Sequence, residues 1–230
     1  WHTLSLHDAL PIWIKGKKAR DFAQRVTTND VDKLTPGKVQ YTCLPNGKGG
    51  IVDDLLIYKY DDQKYLMVVN ASNTQKDWDW LNQQNSEGVE LENSSDAISQ
   101  LALQGPLSYK ILQKITDLDL NSLKFFRFAT DSVAGIKDVI ISNTGYTGSG
   151  GYELYFYNKH AVDLWKAIME AGKEFGLVPV GLAARDTLRL EMGMCLYGND
   201  IDENTSPIEA GLDWITKFSD NNEFINKDIF

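Results

Sequence analysis

VQYTCLPNGKGGIVDDLLIYKYDDQKYLMVVN, residues 39–70, is the stretch that decides the fold class. Val39, Tyr41 and Cys43 alternate with polar Gln40 and Thr42, the two-residue period of a half-buried strand. Asn46-Gly47-Lys48-Gly49-Gly50 breaks that period with residues that favour a turn. Residues 51–60 read as a second strand, Asp61-Asp62-Gln63 turns the chain, and residues 64–70 form a third. Strands joined by short polar turns predict an antiparallel meander.

Outward from the meander, the pattern changes to the helical period on both sides. Ala19, Phe22, Ala23 and Val26 recur at helical spacing within residues 17–26. Residues 71–84 predict a helix with Ser72 or Asn73 as its cap and Trp78 on its apolar side. The second half repeats the theme: a strand at 98–103, a helix from Gly105-Pro106 to Ile115, and strands at 136–142 and 152–157 around a glycine-rich turn. Residues 160–175 predict an amphipathic helix with Val162, Trp165, Ile168 and Met169 inward, ended by Gly176, and residues 183–192 predict another. Strand pairs alternating with helices argue for α+β with mixed or antiparallel sheets; a Rossmann-type fold would need more βαβ crossovers.

Bulk composition narrows the function classes. The chain has 230 residues, 43% hydrophobic and 24% charged, enough for one large or two small domains. Net charge is −9, which repels a phosphate backbone and argues against a nucleic-acid partner. The one basic cluster, Lys15, Lys17, Lys18, Arg20 and Arg25, reads as the solvated face of a helix. No apolar run is long enough to span a membrane. Cys43 and Cys195 form no CxxC pair, which leaves a zinc knuckle or redox dithiol unsupported; isolated thiols suit a reducing compartment, with a long-range disulfide still open. Of the histidines, His2 and His7 lie at the start and only His160 beyond, so a histidine metal site or serine-type triad lacks parts. Residues 1–12 have no clear period and no signal-peptide pattern, and are read as a non-native or disordered leader. Residues 13–212 are read as one region of two intertwined α+β lobes, and 213–230 as the start of a further, truncated part.

Four stretches hold candidate chemistry. Asp53 and Asp54 sit side by side in an apolar strand, so they point to opposite faces, one shared with Val52 and Leu56. A buried carboxylate there is costly without a partner; an Asp facing water and another capping a turn would explain the pair equally well. Asn70 ends an apolar strand, where Asn is commonly a turn former or cap. Residues 143–154 hold Gly145, Gly148, Gly150 and Gly151, which allow close approach of a ligand to the backbone, yet match neither GxGxxG nor GxxxxGK[ST]. A hairpin explains those glycines but not Glu153, just inside an apolar strand. Arg185 and Arg189 are four apart on one helix face; Asp186 and Arg189 form an ordinary surface pair on the simpler reading, while a guanidinium beside small Ala183 and Ala184 suits two-pronged capture of a carboxylate.

Taken in order, Thr28-Asn29-Asp30, Gly50-Ile51-Val52-Asp53-Asp54-Leu55, Val69-Asn70-Ala71, Leu103-Gln104-Gly105-Pro106, Gly145-Tyr146-Thr147-Gly148, Gly151-Tyr152-Glu153, residues 184–191 and residues 196–203 resemble the signature of the aminomethyltransferase family, the T-proteins of the glycine cleavage system. The resemblance runs from about Ile14 to Phe230. It implies a folate-binding fold with ferredoxin-like mixed or antiparallel sheets and flanking helices. It also implies transfer of the one-carbon unit of the aminomethyl group on lipoylated H-protein to tetrahydrofolate, alongside the P- and L-proteins, in the cytoplasm or, in a eukaryote, the mitochondrial matrix. By match, Asp54 is the catalytic acidic residue, Glu153 and Arg185 are folate contacts, and Tyr41, Leu56, Asn70 and Tyr146 are further pocket positions. No metal or flavin is implied. The chain departs from the family in having Ser149-Gly150 where an acidic pair is usual, and in lacking the family's N-terminal segment before Ile14 and its C-terminal β-barrel after Phe230; weak or absent activity as it stands is the expectation. Related readings are the folate-binding region of a dimethylglycine or sarcosine dehydrogenase, and a folate-binding assembly factor for iron–sulfur clusters and tRNA modification, whose cysteine motif has no counterpart at residues 143–148.

Overall fold

The structure, a computed structural model, describes residues 2–6 and 9–230. In chain order the strands and helices are β1 (His2–Leu6), β2 (Ala9–Lys15), α1 (Ala19–Val26), β3 (Val39–Pro45), β4 (Ile51–Asp61), β5 (Lys64–Asn70), α2 (Thr74–Gln84), β6 (Glu90–Asn93), β7 (Ile98–Gln104), α3 (Ser108–Gln113), β8 (Phe128–Val133), β9 (Ile136–Ser142), β10 (Gly151–Tyr157), α4 (Ala161–Gly172), β11 (Leu177–Pro179) and α5 (Leu182–Glu191). The chain divides into two compact units, each made of two stretches: residues 1–7 with 97–194, and residues 8–96 with 195–230.

The second of these units contains the meander. β3, β4 and β5 pair antiparallel, and the sheet continues through β2 to β6 in the order β3-β4-β5-β2-β6. One face is the core: Leu44, Leu55, Ile57, Met67 and Val69 pack there with Ile12 and Ile14. α1 covers it with Ala19, Phe22, Ala23 and Val26, all fully buried, one stripe at i, i+3, i+4 and i+7. α2 adds Leu81 and half-buried Trp78. Residues 213–230 pack into the same unit: Ile215 and Phe224 are buried, the Lys217 N–H donates to the Thr28 carbonyl, and the Ile225 N–H donates to the Arg25 carbonyl.

In the other unit the sheet order is β11-β1-β7-β10-β9-β8, antiparallel except where β1 runs parallel to β11. Leu101, Leu103, Ile141, Leu154 and Phe156 form its apolar face under α3 and α4. Leu164, Ile168 and Ala171 are the buried side of α4, with Trp165 and Met169 packed beside them. Val162 is 63% exposed, against the sequence expectation. It is two residues before Leu164, about 200° round the helix, so it cannot share that face.

The leader expected to be disordered forms strands where it is described. Trp1, His7 and Asp8 lie outside the described residues, but His2–Leu6 bridges β7 and β11, and Ala9–Lys15 is central between β5 and β6. Its backbone groups are satisfied by neighbours distant in sequence, so no local period announces it. Edge strand β6 was also unread, because its residues are mostly exposed and carry no apolar alternation. No helix among the described residues is long and apolar enough to cross a membrane.

Gly50 shows how tightly the β4 entrance is built. Its N–H donates to Asn46 Oδ1 at 2.9 Å, and the Ile51 N–H donates to the Asp202 carbonyl at 3.1 Å. A Cβ on Gly50 would stand 1.8 Å from the Glu203 carbonyl oxygen, an overlap that only backbone movement relieves. Gly50→Ala is therefore expected to destabilise the chain by about 2–4 kcal/mol, measured as a fall in denaturant midpoint at unchanged slope.

Candidate functional site

Opposite the core, the face of the β3–β4–β5 sheet is partly polar. Asp54 lies directly across from Cys43, and Leu56 lies between Tyr41 and Val68. The same register carried two residues on sets Asn70 against Asp54. Strand alternation thus brings Tyr41, Asp54, Leu56 and Asn70, all named from the sequence, onto one face.

Each is held by hydrogen bonds. Tyr41 Oη donates to Asp54 Oδ2 at 2.7 Å, and Asn70 Nδ2 donates to Asp54 Oδ1 at 3.1 Å. The same amide lies 3.0 Å from the Asp54 carbonyl and 3.0 Å from Asp53 Oδ1. Burial first, then the neighbouring Asp53 charge, pushes the Asp54 carboxyl up to about 7, against the opposing hydrogen bonds of Tyr41 and Asn70. Burial and the Asp54 charge likewise hold the Tyr41 phenol well above its ordinary value, so it stays a hydrogen-bond donor. Trp214 stands beside Tyr41 with ring centroids 5.8 Å apart, an aromatic neighbour that no local motif marks. Neither cysteine is in a disulfide; Cys43 is buried and Cys195 packs in the same apolar cluster.

Asp53 faces the other way, into the core, and is fully buried. It neither meets water nor caps a local turn, while Asp54 on the other face is half-buried. It accepts from the Asn70 N–H at 3.1 Å, from Asn70 Nδ2, and from Asn73 Nδ2 at 2.6 Å. Of Ser72 and Asn73, the two expected caps, Asn73 takes the N-cap position of α2 but makes no side-chain cap bond; its amide is used on Asp53 instead, and residues 71–73 form a 3-10 turn ahead of α2. Asp77, on the first turn of α2, is buried beside Asp53 and was not singled out in the sequence.

The second group lies in the other unit. Glu153 on β10 sits opposite Ala102 and Ser142, on the sheet face turned away from the apolar core. That face is polar and still buried: Gln100, Gln104, Ser142, Thr144 and Glu153 are each under 9% exposed. Gln100 Nε2 donates to Glu153 Oε1 at 3.0 Å, and Thr144 Oγ1 donates to Glu153 Oε2. Burial raises the Glu153 carboxyl, opposed by Thr144, the Arg185 charge and Gln100. Arg185 lies with its guanidinium carbon 4.3 Å from the centre of the Tyr146 ring, a cation–π contact. Arg189 does pair with Asp186 at 2.8 Å, but it is buried and also donates to the Met194 carbonyl, so it pins the helix end rather than decorating a surface. Gln100 and Thr144 went unread as site residues because a lone amide or hydroxyl in a strand carries no period. Among the described residues, no three His, Cys, Asp or Glu side chains gather as a metal-holding group.

Two α+β units, each with a hydrogen-bonded carboxyl on the polar side of its sheet, half-buried at Asp54 and buried at Glu153, define the class of fold. The chain belongs to the GCVT N-terminal domain family, whose model matches residues 7–220, reaching seven residues ahead of Ile14, where the resemblance read from the sequence begins. It is 62% identical over 215 residues to an aminomethyltransferase of Bacteroides thetaiotaomicron and 61% identical to one of Bacteroides fragilis, 94% of this chain in each case. The structure of glycine cleavage system aminomethyltransferase T from Bartonella henselae superposes with a TM-score of 0.90 at 30% identity, covering 100% of this chain. The chain spans 60% of the length of those two curated relatives and 62% of the Bartonella chain.

The Asp54 shift has a measurable consequence. A folded-state value raised above the unfolded one means that the folded chain holds more protons between the two. The associated stability is complete below about pH 4 and is lost as pH rises through about 7. Asp54→Asn removes that contribution, so its melting temperature is expected to fall less steeply than the wild type's between about pH 4 and 7. Parallel slopes in thermal denaturation would count against the buried, raised carboxyl.

Proposed function

We propose that this chain supplies the folate-contacting and catalytic acid residues of a glycine cleavage aminomethyltransferase. The reaction moves the one-carbon unit of the aminomethyl group on lipoylated H-protein to tetrahydrofolate, giving methylene-tetrahydrofolate, ammonia and the reduced lipoyl arm. The observation that carries the reading is the state of Asp54: a carboxyl fixed by Tyr41 and Asn70 and titrating near about 7. A group with that affinity both takes and gives a proton at neutral pH, which carbon–nitrogen bond formation and ammonia release require. Its charge also stabilises a cationic nitrogen as the bond forms.

Glu153 and Arg185 are assigned to folate. A carboxylate accepts from the donor edge of a pterin, and an arginine meets an anionic or acceptor group. Gln100 and Thr144 fix the Glu153 oxygens, and the Tyr146 ring holds the Arg185 guanidinium, so both would meet a ligand in set orientations. Tyr41, Leu56, Asn70 and Tyr146 complete the assigned set. The Bartonella structure, named as aminomethyltransferase T of the glycine cleavage system, supports placing this chain in that system; the reading adds the P- and L-proteins as its other members and the cytoplasm, or the mitochondrial matrix in a eukaryote, as its place. The reading calls for no metal, flavin, nucleic acid or membrane.

Calorimetry with tetrahydrofolate on the full chain tests it. Saturable binding is expected, weakened about tenfold or more (~1.4 kcal/mol) by Glu153→Ala and by Arg185→Ala, and changed less than about threefold by Asp54→Asn. Affinity indifferent to both Glu153→Ala and Arg185→Ala would overturn their assignment.

A further inference from the structure

Asp77 is a buried acid that the mechanism does not use. It lies on α2, is fully buried, and neither of its carboxyl oxygens accepts an N–H or O–H. Its carboxyl is within hydrogen-bond reach of Asp53 on β4, and Asp54 on β4 and Lys76 on α2 are the other charged groups that act on it. Asp53 is the opposite case, accepting from the Asn70 backbone, the Asn70 amide and the Asn73 amide. Two carboxylates side by side in a dry interior cannot both ionise. Hydrogen bonds to a carboxylate favour its charged form. The three N–H donors on Asp53 therefore leave the proton to Asp77.

We propose that Asp77 is a positioning residue, held as the neutral acid and donating its O–H to Asp53, so that Asp53 remains the carboxylate which shares the Asn70 amide with Asp54. The proposal rests on Asp54 being the catalytic acid. Asn70 Nδ2 touches both carboxyls, at 3.0 Å for Asp53 and 3.1 Å for Asp54, so orientation passes from one to the other. Charge passes as well, since a carboxylate at Asp53 is the second cause of the raised Asp54 titration. Burial first, then Asp53, pushes Asp77 far above the usual carboxylate range, with Lys76 opposing, in line with this assignment.

Infrared spectroscopy of the full chain, without folate, tests the idea through the carbonyl band of protonated side-chain carboxyls. At about pH 8.5, above the Asp54 titration at about 7, an acid band from Asp77 is expected to persist, told apart from any Glu153 contribution, whose carboxyl burial also raises, by its presence in Glu153→Gln. It disappears in Asp77→Asn, whose amide donates to Asp53 in place of the O–H, while the Asp54 titration stays where it was. In Asp77→Leu, with no donor, the Asp54 titration moves. Absence of an acid band at that pH in the wild type overturns the pair, a measurement that needs no variant to fold. Persistence of the band in Asp77→Asn places the proton elsewhere and overturns the assignment to Asp77. An Asp54 titration unmoved in Asp77→Leu overturns the positioning role. These readouts are independent of ligand, so failure here leaves the folate assignment standing, and failure of folate binding leaves the acid pair standing.

Discussion

Asp53 buried in the middle of an apolar strand is the constraint around which one unit is organised. A carboxylate out of water is tolerable only when its oxygens are fully hydrogen-bonded. The donors come from the end of β5 and from the 3-10 turn that follows it, through Asn70 and Asn73. Satisfying Asp53 thereby fixes where β5 stops, how the chain enters α2, and where the Asn70 amide points. The amide then fixes Asp54 on the opposite face. A structural demand on one side of the sheet becomes an orientation of the Asp54 carboxyl on the other.

The other unit solves a similar problem with side chains alone. Glu153 is hydrogen-bonded by Gln100 of the neighbouring strand β7 and by Thr144, the second residue after β9, with Arg185 as its charge partner. Gly151, beside it, must be a glycine: its φ is 159°, and a Cβ would stand 2.5 Å from the Leu103 carbonyl oxygen. The regular antiparallel register of β10 and β7, which pairs Glu153 with Ala102 and Tyr155 with Gln100, puts Gln100 within reach of Glu153. Gln104 serves the same region from the end of β7, donating toward the Thr144 and Tyr152 carbonyls at 3.3 Å each.

Much of this was legible in the sequence. The meander, α1 and the amphipathic helix α4 follow from apolar period alone, because each buries one face against one core. The motif order named the family, and with it Asp54, Glu153 and Arg185. What escaped was whatever depends on partners far along the chain. The strands His2–Leu6 and Ala9–Lys15 pair with residues dozens of positions away, and their own residues carry no signal of that. Val162 was misplaced because hydrophobicity by itself does not set the helix phase when the true stripe is Leu164, Ile168 and Ala171.

The sequence by itself determined the α+β class, the alternation that puts Asp53 and Asp54 on opposite faces, and the side chains proposed for the site. Periodicity is a local property of the chain, and so are motifs. Only the tertiary structure decided that Asp53 faces the core and Asp54 the polar face, that Asn73 serves Asp53 rather than its helix, and that Asp77 stands beside Asp53 with no donor of its own. Those outcomes depend on which side of a sheet is covered and on which donors reach a buried oxygen, quantities set by packing between elements distant in sequence.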